Sequence, residues 1–136
     1  MLFRSHPIPL AEVSRYGILH GVWEDKSHTA LNVTSMHEKP KASYAEEFLG
    51  VRDNNGQKEY YSVFGQYILT PEVFSQLHQD IMQKEIDGDH VTEIELTSAL
   101  EAVRKRSGMM GIRLKGRMYD MGNPNALVKA VEEFSK

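Results

Sequence analysis

The stretch Leu31–Lys41, LNVTSMHEKPK, decides how the chain is read. Leu31, Val33 and Ser35 alternate with Asn32, Thr34 and Met36, and the β-branched residues favour an extended backbone. Pro40 cannot donate a ladder hydrogen bond and disfavours the α region for Lys39, so the strand should end at His37-Glu38-Lys39. A carboxylate and an ammonium then lie side by side at the C-terminal end of a strand, the rim where open α/β sheets bind ligands. Glu38 can accept hydrogen bonds from vicinal hydroxyls, and Lys39 can meet a phosphate as a point charge. A sugar phosphate needs both.

Upstream, Arg15–Trp23 (RYGILHGVW) is a second strand with Tyr16, Ile18 and Val22 apolar, and Gly17 allows close approach of a ligand or a neighbouring chain. Glu24–Ser27 turns it into the first strand, giving a hairpin. Residues 1–13, with Pro7 and Pro9 and no period, read as an irregular lead-in.

Downstream, residues 41–50 predict a short helix in which Ser43 caps and Glu46 completes a capping box. Glu59–Leu69 (EYYSVFGQYIL) predicts a strand buried on both faces. Thr70-Pro71 opens a helix with Val73, Phe74, Leu77 and Ile81 as its buried stripe, ending near Asp87-Gly88. Another helix is expected over 92–106, with Ile94, Leu100 and Val103 buried. Residues 109–119 alternate as a half-buried strand with Met110, Ile112, Leu114 and Gly116 on one face. A turn through Asp120 and Gly122 leads to a last helix with Leu127, Ala130, Val131 and Phe134 on one side.

Composition narrows the function classes. The 136 residues suit a single domain, 1–136, and the formal net charge of −3 gives no general pull toward nucleic acid or an anionic membrane. The basic triplet Arg104-Lys105-Arg106 reads as a solvated helix end. No apolar run approaches a membrane span and no h-region opens the chain, so a cytoplasmic protein with neither nucleic-acid nor membrane partner is expected. With no cysteine there is neither a disulfide nor a thiolate site. The six histidines lack a paired helical spacing, so zinc is not expected. No nucleophile–base pair stands out and there is no Gly-rich phosphate loop. Ligands for charge remain, which is what phosphoryl or nucleotidyl transfer asks of a protein.

The order of these pieces resembles a known family. Tyr16-Gly17-Ile18, Glu38-Lys39-Pro40-Lys41, Phe64-Gly65-Gln66-Tyr67-Ile68-Leu69, Thr92-Glu93-Ile94-Glu95-Leu96-Thr97 and Lys115-Gly116-Arg117-Met118-Tyr119-Asp120-Met121-Gly122 resemble the C-terminal half of bacterial UTP–glucose-1-phosphate uridylyltransferases, members of the sugar-nucleotide pyrophosphorylases. The resemblance implies an α/β fold: the C-terminal portion of a Rossmann-like nucleotidyltransferase, a mixed β-sheet with flanking helices, lacking the N-terminal nucleotide-binding half. It implies that Gly17 lies against the hexose, that Glu38 holds sugar hydroxyls and that Lys39 meets the sugar phosphate. Gly65 and Tyr67 would wall the sugar pocket, and Asp120 would be a Mg²⁺ ligand. Its partners would be a hexose 1-phosphate and a nucleoside triphosphate, with the isolated chain inactive. Thr92, Glu95, Ser98 and Met121 depart from the family pattern. The alternative is a non-catalytic α/β assembly module. Under either reading the chain is expected to form homo-oligomers through exposed sheet edges.

Overall fold

A computed structural model of the chain describes residues 1–89, 91–116, 119 and 124–135, with the Phe64 side chain left aside. The strands are β1 (Leu2–Ile8), β2 (Gly17–Trp23), β3 (Ala30–Glu38), β4 (Val51–Arg52), β5 (Lys58–Ile68) and β6 (Met110–Arg113). The α-helices are α1 (Ala42–Phe48), α2 (Pro71–Asp87), α3 (Leu96–Ser107) and α4 (Pro124–Phe134). The described strands form one mixed sheet in the order β1-β6-β3-β2-β5-β4. Strand β5 also pairs with β1, so the sheet curls back on itself. Among the described residues only β1 and β6 run parallel; the other pairings are antiparallel.

The hairpin around the first-read stretch is present, with β2 antiparallel to β3 and Gly17 opposite Glu38. The lead-in is not irregular: Leu2–Ile8 is a strand held between β5 and β6. Its inward positions include Phe3 and the polar Ser5, whose hydroxyl donates to the Ser62 carbonyl at 2.9 Å. A polar inward residue and two prolines hide the alternation from a hydrophobicity reading. Pro7 lies beyond Ser5, the last β1 residue paired with β6, so its missing donor falls where β1 has lost one neighbour.

Two helix starts, those of α1 and α3, differ from expectation for local reasons, while α2 matches it. Helix α1 is capped at Lys41, without a side-chain cap, so Ser43 falls inside the first turn and no capping box forms. Helix α2 runs from Pro71 to Asp87 and ends on Gly88 in the left-handed conformation, as its sequence signals ask. Helix α3 begins at Leu96 rather than 92. The Asp89 carboxylate accepts the Val91 and Thr92 backbone N–H groups, both at 3.0 Å, and holds that turn out of the helix.

Burial is more one-sided than the apolar pattern suggests. The main core gathers Phe3, Leu19, Leu31, Tyr61, Val73 and Leu100. Of the α2 stripe only Val73 is fully buried, while Phe74 and Ile81 are exposed. On α4 Ala130 is buried, whereas Leu127, Val131 and Phe134 face out. In β5, Tyr60, Tyr61 and Ser62 are buried but Tyr67 and Ile68 are exposed, because β2 pairs only as far as Ser62. Strand β6 shows the opposite face from the one expected: Met109 and Gly111 turn inward against Leu19, Leu31 and Val33, and the strand stops at Arg113.

Candidate functional site

Strand β3 ends at Glu38, as Pro40 requires, but not through an extended Lys39. Lys39 adopts φ +42°, in the left-handed region, and its backbone N–H donates to the Tyr16 carbonyl at 3.1 Å. That conformation costs an L-residue roughly 1–2 kcal/mol. The strain directs the chain away from β3 while leaving the Lys39 side chain beside Glu38, with Nζ 3.7 Å from Oε1. The other carboxylate oxygen, Oε2, accepts a hydrogen bond from Thr97 Oγ1 at 2.7 Å. Both oxygens of Glu38 are therefore engaged, one by an ammonium and one by a hydroxyl.

These groups border a cavity of about 400 Å³ whose lining includes Gly17, Glu38, Lys39, Val63, Tyr67 and Thr97. A β-carbon on Gly17 would stand 3.0 Å from Glu38 Oε2, so glycine gives the carboxylate its place. Tyr67 is exposed over part of its ring, and partial desolvation of its phenol, followed by the Glu38 charge, raises it above its ordinary range, so it remains an O–H donor at neutral pH. The cavity also receives Arg15 from the end of the 3-10 helix Leu10–Arg15 that precedes β2, and Glu93 and Glu95 from the segment ahead of α3. Sequence reading gave Arg15, Glu93, Glu95 and Thr97 no role. The signal that could have found Glu93 and Glu95 is the Asp89 turn, which delays α3 and leaves residues 93–95 as rim rather than helix.

Gly65 contributes differently from the expectation. It does not border the cavity; it sits in a bulge at φ +62°, a conformation open to glycine. Phe3 pairs with Tyr67 and Ser5 with Val63, so residues 64–66 together oppose Arg4. The bulge draws Tyr67 back along the strand toward Val63 and onto the cavity wall. Asp120, the implied metal ligand, lies outside the described residues. Among the described residues no three histidine, aspartate or glutamate side chains group to hold a metal ion.

A carboxylate, an ammonium and a phenol thus border one cavity of about 400 Å³, which offers an acceptor, a cation and an O–H donor together. Comparison with known proteins supplies the family. The sequence model of the family described as Nucleotidyl transferase matches residues 6–136. The chain belongs to the nucleotidyl transferase family. It is 29% identical over 129 residues to the UTP–glucose-1-phosphate uridylyltransferase of Streptococcus pneumoniae serotype 4, a match covering 95% of this chain and 37% of the relative. The corresponding enzyme of Staphylococcus epidermidis is 28% identical over 94% of this chain and 38% of its own length.

Among solved structures, a UDP-glucose pyrophosphorylase complexed with UDP-glucose matches with a TM-score of 0.71 and 25% identity, over 98% of this chain and 43% of that one. The UTP-bound enzyme of Acinetobacter baumannii matches at TM-score 0.66 and 20% identity, which shows the shared fold. The chain therefore has the α/β fold, a mixed sheet with flanking helices, of a UDP-glucose pyrophosphorylase nucleotidyltransferase domain.

One expectation is corrected here. The resemblance placed the chain in a C-terminal half, separate from the part that handles the nucleotide. Residues 6–136 match the nucleotidyl transferase model itself, so the chain belongs to the nucleotidyltransferase region of such enzymes. The motifs that suggested a C-terminal half are parts of that region. The chain spans 37% and 38% of the two curated relatives' lengths.

Proposed function

We propose that this chain supplies the sugar-phosphate-binding part of a nucleotidyltransferase site, with glucose 1-phosphate and UTP as substrates and UDP-glucose and pyrophosphate as products. The observation that carries the reading is the engagement of both Glu38 oxygens, by Lys39 and Thr97, at the rim of the cavity beside Gly17. A carboxylate held this way accepts hydrogen bonds from hexose hydroxyls in a fixed direction. The Lys39 ammonium meets the phosphate, and the Tyr67 O–H offers a further donor. The chain's own share of the reaction is orientation and charge: it places the sugar phosphate oxygen that attacks the α-phosphate of the triphosphate, and forms no covalent intermediate. Mg²⁺ would neutralise the triphosphate when bound, with Asp120 as the residue proposed to hold it.

The sequence offers no Gly-rich triphosphate loop, so the 136-residue chain is proposed to bind the sugar phosphate without turning it over. Calorimetry with glucose 1-phosphate, glucose and inorganic phosphate tests the reading. Glucose 1-phosphate should bind with higher affinity than either fragment, because both Glu38 and Lys39 are used. Equal affinity for phosphate and glucose 1-phosphate would refute a sugar site.

A further inference from the structure

A second cavity, of about 410 Å³, lies at the other end of the sheet, and its chemistry differs from that of the sugar-phosphate pocket. Gly17 pairs with Glu38 at one end of β3, while Ala30 pairs with Ile112 of β6 at the other. Strand β3 has nine residues, so the two ends stand roughly 26 Å apart. The first pocket carries Glu38, Glu93 and Glu95 against two cations. The second is lined by His6, His28, Arg113 and Lys115 with the hydroxyl residues Ser27 and Thr29, and none of the described residues lining it is acidic.

We propose that this second cavity binds a phosphate oxyanion. Its cationic and imidazole side chains come from three elements: His6 from β1, His28 from the β2–β3 turn, and Arg113 with Lys115 from the end of β6. Donors converging from several sides suit a tetrahedral oxyanion better than a planar carboxylate. The turn is built to hold them. His28 adopts φ +52°, its N–H donates to the Asp25 carbonyl at 3.2 Å, and its ring stacks on Trp23 at 4.8 Å. Its Nδ1 is buried with no hydrogen-bond partner among the described residues.

The neighbouring carboxylates are already engaged. Asp25 accepts from the Ser27 hydroxyl and from the Thr29 N–H, and Glu59 accepts from the Tyr61 hydroxyl and faces Arg113 at 3.4 Å. Burial, and then the Arg113 charge, lower the His6 pKa, a sign that positive potential reaches the cavity side of β1. A bound anion offsets that potential.

The test follows the histidine ring resonances of the 136-residue chain while sodium phosphate replaces sodium chloride at constant ionic strength. Saturable shifts of His6 and His28, with the His6 pKa raised in the bound form, are expected. Lys115→Gln, a surface change that leaves the core intact, should weaken binding roughly ten-fold, and Arg113→Gln at least as much. Lys39→Ala should leave these shifts unchanged, which separates this site from the sugar-phosphate pocket. Methyl phosphate in place of phosphate distinguishes the phosphate group of a larger molecule, which it mimics, from the free ion alone. Shifts that never saturate, that persist unchanged in folded Lys115→Gln and Arg113→Gln, or that vanish in Lys39→Ala would overturn the proposal.

Discussion

Thr97 Oγ1 donates to Glu38 Oε2 at 2.7 Å across 59 residues of sequence, joining the first turn of α3 to the end of β3. The bond fixes the carboxylate that Gly17 makes room for and Lys39 flanks. Neither the spacing of the two residues nor their identities announce it.

Thr97→Val keeps the side-chain shape and removes this donor. A hydrogen bond to a charged group contributes about 1.5–3 kcal/mol, so glucose 1-phosphate affinity should fall by about ten-fold or more. Thr97→Ser restores the hydroxyl and should recover most of it. Calorimetry on the two variants checks this. Equal loss in both would mean that Thr97 acts only through packing.

Lys39 has a strained backbone as well as a ligand-facing side chain, and the two contributions separate by substitution. Alanine at φ +42° keeps the left-handed strain; glycine relieves it. Lys39→Gly should therefore be more stable than Lys39→Ala by about 1 kcal/mol in urea unfolding, although both lose the ammonium and bind glucose 1-phosphate equally poorly. Identical midpoints would show that the backbone there relaxes freely.

His6 sets a pH dependence of stability. Its folded pKa lies below the ordinary 6.5, mainly through burial and secondarily through the Arg113 charge. The unfolded chain therefore takes up the proton first. The contribution is fully present above about pH 6.5 and is lost as pH falls through the depressed folded pKa. Urea midpoints measured from pH 7.5 to 5 should drop, and His6→Gln should flatten the part of that slope due to this residue. A slope untouched by His6→Gln would assign it elsewhere.

Much of the fold was legible because it rests on local signals. The β-branched alternation before Glu38, the Pro40 stop, Thr70-Pro71 and Gly88 each act within a turn or two of chain. What stayed hidden depends on distant partners. Strand β1 was missed because its inward Ser5 is satisfied by Ser62, 57 residues away. The face of β6 was reversed because Gly111, with no side chain to count as apolar, holds the core position. In the site, Gly17, Glu38, Lys39 and Tyr67 were named in advance. Glu93 and Glu95 were not given roles, since the Asp89 turn that withholds them from helix α3 is a side-chain-to-backbone effect, and neither was Thr97, whose partner Glu38 lies 59 residues away.

Apolar surface on α2 and α4 gives the association prediction. Phe74, Ile86 and Phe134 are 65%, 75% and 79% exposed. A chain of this kind should form dimers or larger species as concentration rises. Phe134→Ser with Val131→Ser should shift light scattering toward monomer without lowering the unfolding midpoint, because neither side chain is buried. A monomer at millimolar concentration would contradict this.

The most direct test is a titration of glucose 1-phosphate into the wild-type chain and into Lys39→Ala and Glu38→Gln. One saturable site is predicted in the wild type, weakened roughly ten- to a hundred-fold by Lys39→Ala. Glu38→Gln should lose the preference for glucose 1-phosphate over galactose 1-phosphate while retaining phosphate-dependent binding. Absence of saturable binding, or wild-type affinity in both variants, would contradict a sugar-phosphate site at the end of β3.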